Sequence, residues 1–174
     1  MPIEALSATL MGFAAGALAE PLSAACSVHV SMCAQCRSEL RDMELLGATL
    51  VGSTPTGGGR VGPPIKPHEA QLDAHRGAGE VNADDLPAPL ARRYDLALDQ
   101  IPWKRLAPCR LPLHGHTGVE LTVVLTGAFA DAFGEYRRGD MQDIDNSIEH
   151  QPLGDRDEGC ICLVAAEGPY LLRG

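Results

Sequence analysis

Apolar positions over the first fifty residues recur at helical spacing. Ile3, Leu6, Leu10, Phe13 and Leu18 fall three to five residues apart, which marks one buried helix face. Pro21 suits the first turn of a second helix, where its missing N–H leaves no bond unmade, and that helix is expected to run to about Met32. Leu40, Met43, Leu45, Leu46 and Leu50 mark a third. All three are short or small-sided, so each relies on its neighbours to bury its apolar stripe. From Gly52 to Pro67 the pattern stops, because nine of sixteen residues are Gly or Pro. Such a stretch buries too little apolar area to offset its ordering entropy and is expected to be a mobile linker. The loose region extends to about Ala88, with a short helix expected around His68 to His75. Leu90 to Leu98 predicts one more helix, expected to dock on a neighbour. Past Trp103 the period falls to two, and strands are expected over Val119 to Leu125, Ala128 to Phe133, Asp140 to Ile144 and Cys160 to Ala165.

The pattern therefore describes an α + β chain of two domains. A short helical domain is expected over 1–51, a Gly/Pro-rich linker over 52–88 and a β domain over 89–174. Composition agrees, since 19 Gly and 13 Pro in 174 residues demand long irregular segments. Aromatic residues are only 4%, so the core must be built from Ala, Leu and Val.

The formal net charge is −9, with Lys and Arg scattered along the chain. An acidic surface without a basic patch repels phosphate backbones, which excludes direct nucleic-acid binding. The first apolar stretch, Leu6 to Ala19, has no Lys or Arg before it and, at 14 residues, is too short to span a bilayer. No export signal and no membrane span are expected, which places the chain in the cytoplasm. The six Cys cluster beside His, a pattern of metal binding in a reducing compartment.

Two groups of residues carry that chemistry. In His29-x3-Cys33-x2-Cys36, the first two side chains share a helix face and the third returns from the following turn. Three such ligands suit tetrahedral Zn²⁺, against the plainer reading of a buried His beside two reduced core thiols. Cys26 lies seven residues from Cys33, about 10.5 Å of helical rise, too far for both to reach one ion. Glu4 is the better fourth ligand because it approaches from another helix. The second group is His114, His116 and Glu120, all even-numbered and so on one face of an extended segment, joined by the distant His150. Three imidazoles and a carboxylate suit Zn²⁺, Mn²⁺ or Fe²⁺, against a chance His pair on a surface strand.

Both groups carry a resemblance. His29-x3-Cys33-x2-Cys36 in a short helical domain resembles the zinc-binding anti-sigma domain, and Phe13-Ala14-Ala15-Gly16-Ala17-Leu18 upstream of it is similar to the ChrR-type members. The run from His114 through Gly127, with His150 beyond, resembles the two cupin motifs. Asp145-Asn146-Ser147 replaces the usual cupin Pro-x-Gly turn, a departure that ChrR-type proteins share. Gly139-Asp140 and Cys160-Ile161-Cys162-Leu163 extend the likeness, in the family's order.

The resemblance implies a cupin-like antiparallel β-sandwich at the C-terminus. That sandwich is expected to be short of its first strands, since only ten residues separate Trp103 from His114. The chain also stops at Gly174, before the family's usual C-terminal segment. The family's fourth head ligand is usually a His near the N-terminus, and Glu4 takes that place when the Ala-Ala-Gly segments are aligned. The implied function is an anti-sigma factor, not an enzyme. It would sequester an extracytoplasmic-function sigma factor and release it on exposure to singlet oxygen or organic peroxide, with one zinc in each domain. Two other readings stand beside it: a metal-dependent cupin enzyme of dioxygenase or isomerase type, and a truncated homologue that neither inhibits nor senses. Cys160 and Cys162 share a strand face, either as oxidation targets toward the metal cavity or as core filler. Cys109, His68 and His75 carry no expected role.

Overall fold

The computed structural model describes residues 3–53, 87–94, 110–157 and 159–173. Four helices and seven strands lie within them: α1 (Ile3–Ala14), α2 (Glu20–Met32), α3 (Ala34–Ser53), α4 (Ala88–Tyr94), β1 (His114–His116), β2 (Glu120–Asp131), β3 (Gly134–Arg137), β4 (Met141–Ile144), β5 (Leu153–Gly154), β6 (Cys160–Ala166) and β7 (Tyr170–Leu172). Of the linker expected over 52–88, the ends belong to helices, Gly52 and Ser53 to α3 and Ala88 to α4. Its residues 54–86, with the helix expected around His68 to His75, lie outside the described residues, as do residues 95–109. The place where further sandwich strands would begin, after Trp103, falls in that last gap.

The helices start and stop where local chemistry directs. α1 ends before Gly16, whose φ of 66° is a left-handed conformation that glycine adopts without strain. Leu18, expected on the face of α1, therefore lies beyond its end. Pro21 sits in the first turn of α2. α2 stops at Cys33, which takes an extended conformation (φ −98°, ψ 109°) while its N–H still bonds to the His29 carbonyl at 2.8 Å. α3 begins at the next residue. A single residue thus turns the chain between two helices.

Every strand pairing is antiparallel, and β2 is the spine. Its first part pairs with β4 on one side and β6 on the other, while its last part pairs with β3 and β5. β1 and β7 form a separate two-stranded ribbon, and β1 is tied back by a bridge between His114 and His150. The sequence pattern places two strands over 119–133; the structure has one. The register of β2 against β6 shifts between Val124 and Thr126, so the expected break is a bulge inside a continuous strand. Gly127, at φ 69°, makes it possible: a Cβ there would stand 2.1 Å from the Gly159 carbonyl oxygen. β1, β3, β5 and β7 span two to four residues, too short to leave a period in the sequence.

Period two sorts the β side chains onto two faces. Leu121, Val123 and Leu125 of β2, Met141 of β4 and Ala165 of β6 turn toward the helices. There they join Leu22, Ala25, Cys26 and Val28 of α2 and Leu90 of α4 in one buried cluster. Helical head and β tail thus share a core, with α2 lying across the sheet. A second, smaller cluster of Leu10, Val30, Cys36 and Leu40 binds the three N-terminal helices together. A third, Val124, Phe129 and Tyr136 with Cys160 and Cys162 against it, occupies the opposite face of the sheet. Thr9 of α1 reaches across to the tail and donates a hydrogen bond to Asp143 of β4.

Two candidate metal centres

The first centre forms where α2 gives way to α3. His29 lies in the last turn of α2, Cys33 in the break, and Cys36 in the first turn of α3. One donor atom from each lies within 4.8 Å of the others. Two zinc–sulfur bonds of about 2.3 Å at tetrahedral angles would separate sulfurs by about 3.8 Å, so one ion fits this span. The Cys36 N–H donates to Cys33 Sγ at 3.5 Å, which places that sulfur where a helix cap acceptor sits. Burial, the bond to Cys33 and the nearby Cys33 and Glu39 charges push the Cys36 thiol up to about 12. Without a cation Cys36 is therefore a neutral thiol; a bound cation reverses that balance.

His29 is 3% exposed, and its ring is already committed at one nitrogen. Nδ1 stands 2.8 Å from the Gly139 carbonyl, which only accepts, so Nδ1 carries the proton. Nε2 is then a bare lone pair, buried without a hydrogen-bond partner. Burial keeps this imidazole neutral by lowering its pKa. An orphaned lone pair beside two thiols is what a soft cation requires. Glu4 lies in α1, but in the stretch whose side chains are outside the described ones. Cys26 is fully buried in the core under α2, apart from this cluster; burial, Asp143 and Cys36 push its thiol up to about 12.

The second centre brings His114, His116, Glu120 and His150 together, all four buried and again within 4.8 Å of one another. β1 supplies the first two, the start of β2 the third, and the bridge to β1 positions the fourth through two backbone bonds of 3.0 and 2.9 Å. His150 Nε2 lies 3.1 Å from His114 Nε2 and 3.2 Å from His116 Nε2. Metal–nitrogen bonds of about 2.1 Å enclosing 90–109° put nitrogens about 3.0–3.4 Å apart. The far nitrogens explain the convergence. His114 Nδ1 donates to the Pro112 carbonyl at 2.8 Å and His150 Nδ1 to Asp131 Oδ2 at 3.1 Å. Both Nε2 atoms must then be lone pairs, and two lone pairs cannot bond to each other. A cation between them resolves the repulsion.

The carboxylate fits the same account. Glu120 Oε1 accepts from Thr122 Oγ1 at 3.1 Å, while Oε2 is buried without a hydrogen-bond partner, 3.3 Å from the equally unbonded His116 Nδ1. Burial lowers the pKa of His116 and of His150. Neutral imidazoles are the ligating form. The donor set suits Zn²⁺, Mn²⁺ or Fe²⁺.

Three surrounding residues escape a reading of the sequence alone. Asp131, at the end of β2, orients His150 and also accepts from Gln142 Nε2 at 2.8 Å. Gln142, 1% exposed, lies on the cavity side of β4 and also donates to the Tyr136 hydroxyl at 3.1 Å. Tyr170 of β7 covers the site, its ring 5.2 Å from that of His114 and 5.5 Å from that of His116. Burial and the Glu120 carboxylate push its phenol up to about 12. Cys160 and Cys162 have their sulfurs 3.2 Å apart, on the face of the sheet that carries Glu120 and Val124. The hydrogen bond between them lowers the pKa of Cys160 and raises that of Cys162. Among the described residues no helix is long and apolar enough to cross a membrane.

Comparison with known proteins adds a relationship to this geometry. No protein-family model matches the chain. The chain is 34% identical over 195 aligned positions to the anti-sigma-E factor ChrR of Cereibacter sphaeroides, a match covering 93% of this chain and 88% of that protein. It also superposes with a TM-score of 0.70 and 29% identity on a chain of the crystal structure of Rhodobacter sphaeroides SigE in complex with the anti-sigma ChrR, covering 92% of this chain and 96% of that one. The α + β architecture, helices first and antiparallel sheet after, is common to both.

Proposed function

The chain belongs to the ChrR family of anti-sigma factors, and on that premise we propose that it binds an extracytoplasmic-function sigma factor in the cytoplasm, keeps it from RNA polymerase, and releases it on oxidation by singlet oxygen or organic peroxide. The observation that carries this reading is the pairing, in one chain, of a helical His/Cys cluster with a second three-His, one-Glu cluster. Membership of the family points to a regulator rather than to a cupin enzyme. The buried, pre-oriented lone pairs at both clusters argue against a decayed homologue, since orphaned polar atoms are costly to keep without a ligand.

The head offers a surface for the partner. Leu45, Leu46 and Leu50 of α3 are each about two-thirds exposed, at 67%, 65% and 67%, and Met11 of α1 is 61% exposed. Apolar side chains so placed favour an apolar partner surface. The −9 charge adds long-range attraction to the basic DNA-binding face of a sigma factor. Zinc, when bound, would supply a crosslink that fixes the break between α2 and α3, with Glu4 as the proposed fourth ligand beside His29, Cys33 and Cys36. His114, His116, Glu120 and His150 would hold the second ion.

Release would follow from thiol chemistry. Cys160, with its lowered pKa, is the better nucleophile of the tail pair. Its thiolate would attack the distal peroxide oxygen, giving a sulfenic acid and an alcohol. Cys162, 3.2 Å away, would then displace water and close a disulfide. In the head, oxidation of Cys33 or Cys36 would remove a metal bond. The test is co-expression of the full chain with the extracytoplasmic-function sigma factors of its own genome. Co-purification and inhibition of transcription are expected, both reversed by organic peroxide. Failure to hold any of these sigma factors would overturn the reading.

A further inference from the structure

We propose that the metal site of the head is completed by the tail: the Gly139 carbonyl fixes His29 for metal binding, so that head metal affinity and docking of the tail are coupled. The inference rests on the reading that His29, Cys33 and Cys36 hold a metal. It adds a dependence that those three residues do not contain.

A histidine ligand works best when its second nitrogen is held by an acceptor, which selects the tautomer and fixes the ring plane. For His29 that acceptor comes from 110 residues away, at 2.8 Å, in the turn between β3 and β4. The turn is held on both sides of the carbonyl. Gly139 N donates to Val124 O at 2.9 Å, Val124 N donates to Asp140 O at 3.0 Å, and Asp140 N donates to Arg137 O at 2.8 Å. Gly139 itself has φ 90°, a conformation that side-chain-bearing residues rarely take. Its peptide group is therefore aimed by the β tail and cannot follow the head if the two separate.

The same short stretch also reaches the second centre. Three residues after Gly139, Gln142 donates to Asp131, which in turn orients His150. One turn and the strand that follows it thus touch groups that orient a histidine in each cluster. The contact between Thr9 and Asp143 anchors that strand to α1. Coupling of this kind is reciprocal: if docking raises head metal affinity, a bound head metal must equally favour docking. Displacement of the turn, from whatever cause, would loosen the head metal without any chemical change at Cys33 or Cys36.

The test uses the full chain loaded with cobalt(II). Of the two clusters only that of the head has cysteine donors, so the sulfur-to-cobalt charge-transfer band reports that site. Gly139→Ala strains the turn and re-aims its carbonyl, while its Cβ would meet Met32 at an ordinary 3.5 Å. Head cobalt affinity should fall roughly 10- to 100-fold, with a shift of the band, the range found for orienting partners of metal ligands. Thr9→Val removes the anchor on β4 and should weaken head cobalt binding in the same direction, leaving the sulfur-free tail site unchanged. The reverse arm measures hydrogen exchange at the Gly139 amide in Cys36→Ser, which should speed relative to the metal-loaded parent. Parental head affinity in the variants, or unchanged exchange at Gly139, would overturn the coupling. Absence of any sulfur band in the parent chain would instead overturn the metal reading on which it rests. Should Gly139→Ala fail to fold, Thr9→Val and the exchange measurement decide.

Discussion

The Nε2 atoms of His114 and His150 face each other at 3.1 Å, while each ring donates through its other nitrogen to Pro112 and Asp131. The protein alone cannot satisfy two lone pairs pointed at one place. Chelation should therefore lower the melting temperature of the full chain, and added Zn²⁺ should restore it. Free metal at a hundred times its Kd stabilises by about 2.7 kcal/mol. Indifference of the melting curve to both treatments would rule out bound metal.

Asp131 should control the tail site without touching the ion. Asp131→Ala leaves His150 Nδ1 and Gln142 Nε2 without their shared acceptor. Tail metal affinity is expected to drop roughly 10- to 100-fold, measured by competition with a chromophoric chelator. The sulfur-to-cobalt band of the head should stay as in the parent. An unchanged tail affinity would contradict the orienting role.

Asp143 carries a pH dependence of known sign. Burial raises its carboxyl pKa above the ordinary 3.8, while the hydrogen bond from Thr9 partly offsets the rise. A carboxyl whose folded pKa is raised adds stability below its unfolded pKa, and that stability is lost as pH rises through the folded value. Asp143→Asn keeps an oxygen for Thr9 and removes the buried charge. It should melt higher than the parent at pH 7, with the gap closing as pH falls through the raised folded value toward 3.8. A variant less stable at pH 7 would show that the ionised carboxylate is net favourable.

The exposed leucines of α3 should matter to the partner and not to the fold. Leu46, 65% exposed, changed to Glu should leave the melting temperature within the narrow range usual for surface positions. Burying one leucine against a partner contributes about 1.5–3 kcal/mol, so Leu46→Glu should weaken sigma binding at least tenfold by titration calorimetry. Equal affinity for the parent and for Leu45→Glu, Leu46→Glu and Leu50→Glu would move the interface elsewhere.

How much of this was legible beforehand follows from the physics of each signal. The α2–α3 cluster was readable because a helix fixes i, i+4 neighbours, and the single extended residue Cys33 keeps Cys36 close. His114, His116 and Glu120 were readable because period two groups even positions. Asp131 was not. The bulge between Val124 and Thr126 adds one residue to β2 and exchanges the faces, so that Phe129 and Asp131 turn to the side where Glu120 and Thr122 had pointed. Parity counted from Glu120 therefore sends Asp131 to the wrong face. The Gly139 carbonyl left no trace, since backbone acceptors carry no residue signature. The shared core was hidden too: hydropathy shows that Leu121, Val123 and Leu125 are buried, but not that the covering surface is α2.

That shared core limits how the family can change by recombination. A sensing tail moved onto another helical head would arrive with Leu121, Val123, Leu125 and Met141 shaped to an α2 it had left behind. Exchange of tails between relatives therefore requires the Leu22–Ala25–Cys26–Val28 face to travel with the sheet. Part of the inhibitory head is thus inherited as property of the sensor, and a crossover at the Gly-rich stretch after α3 would divide this core.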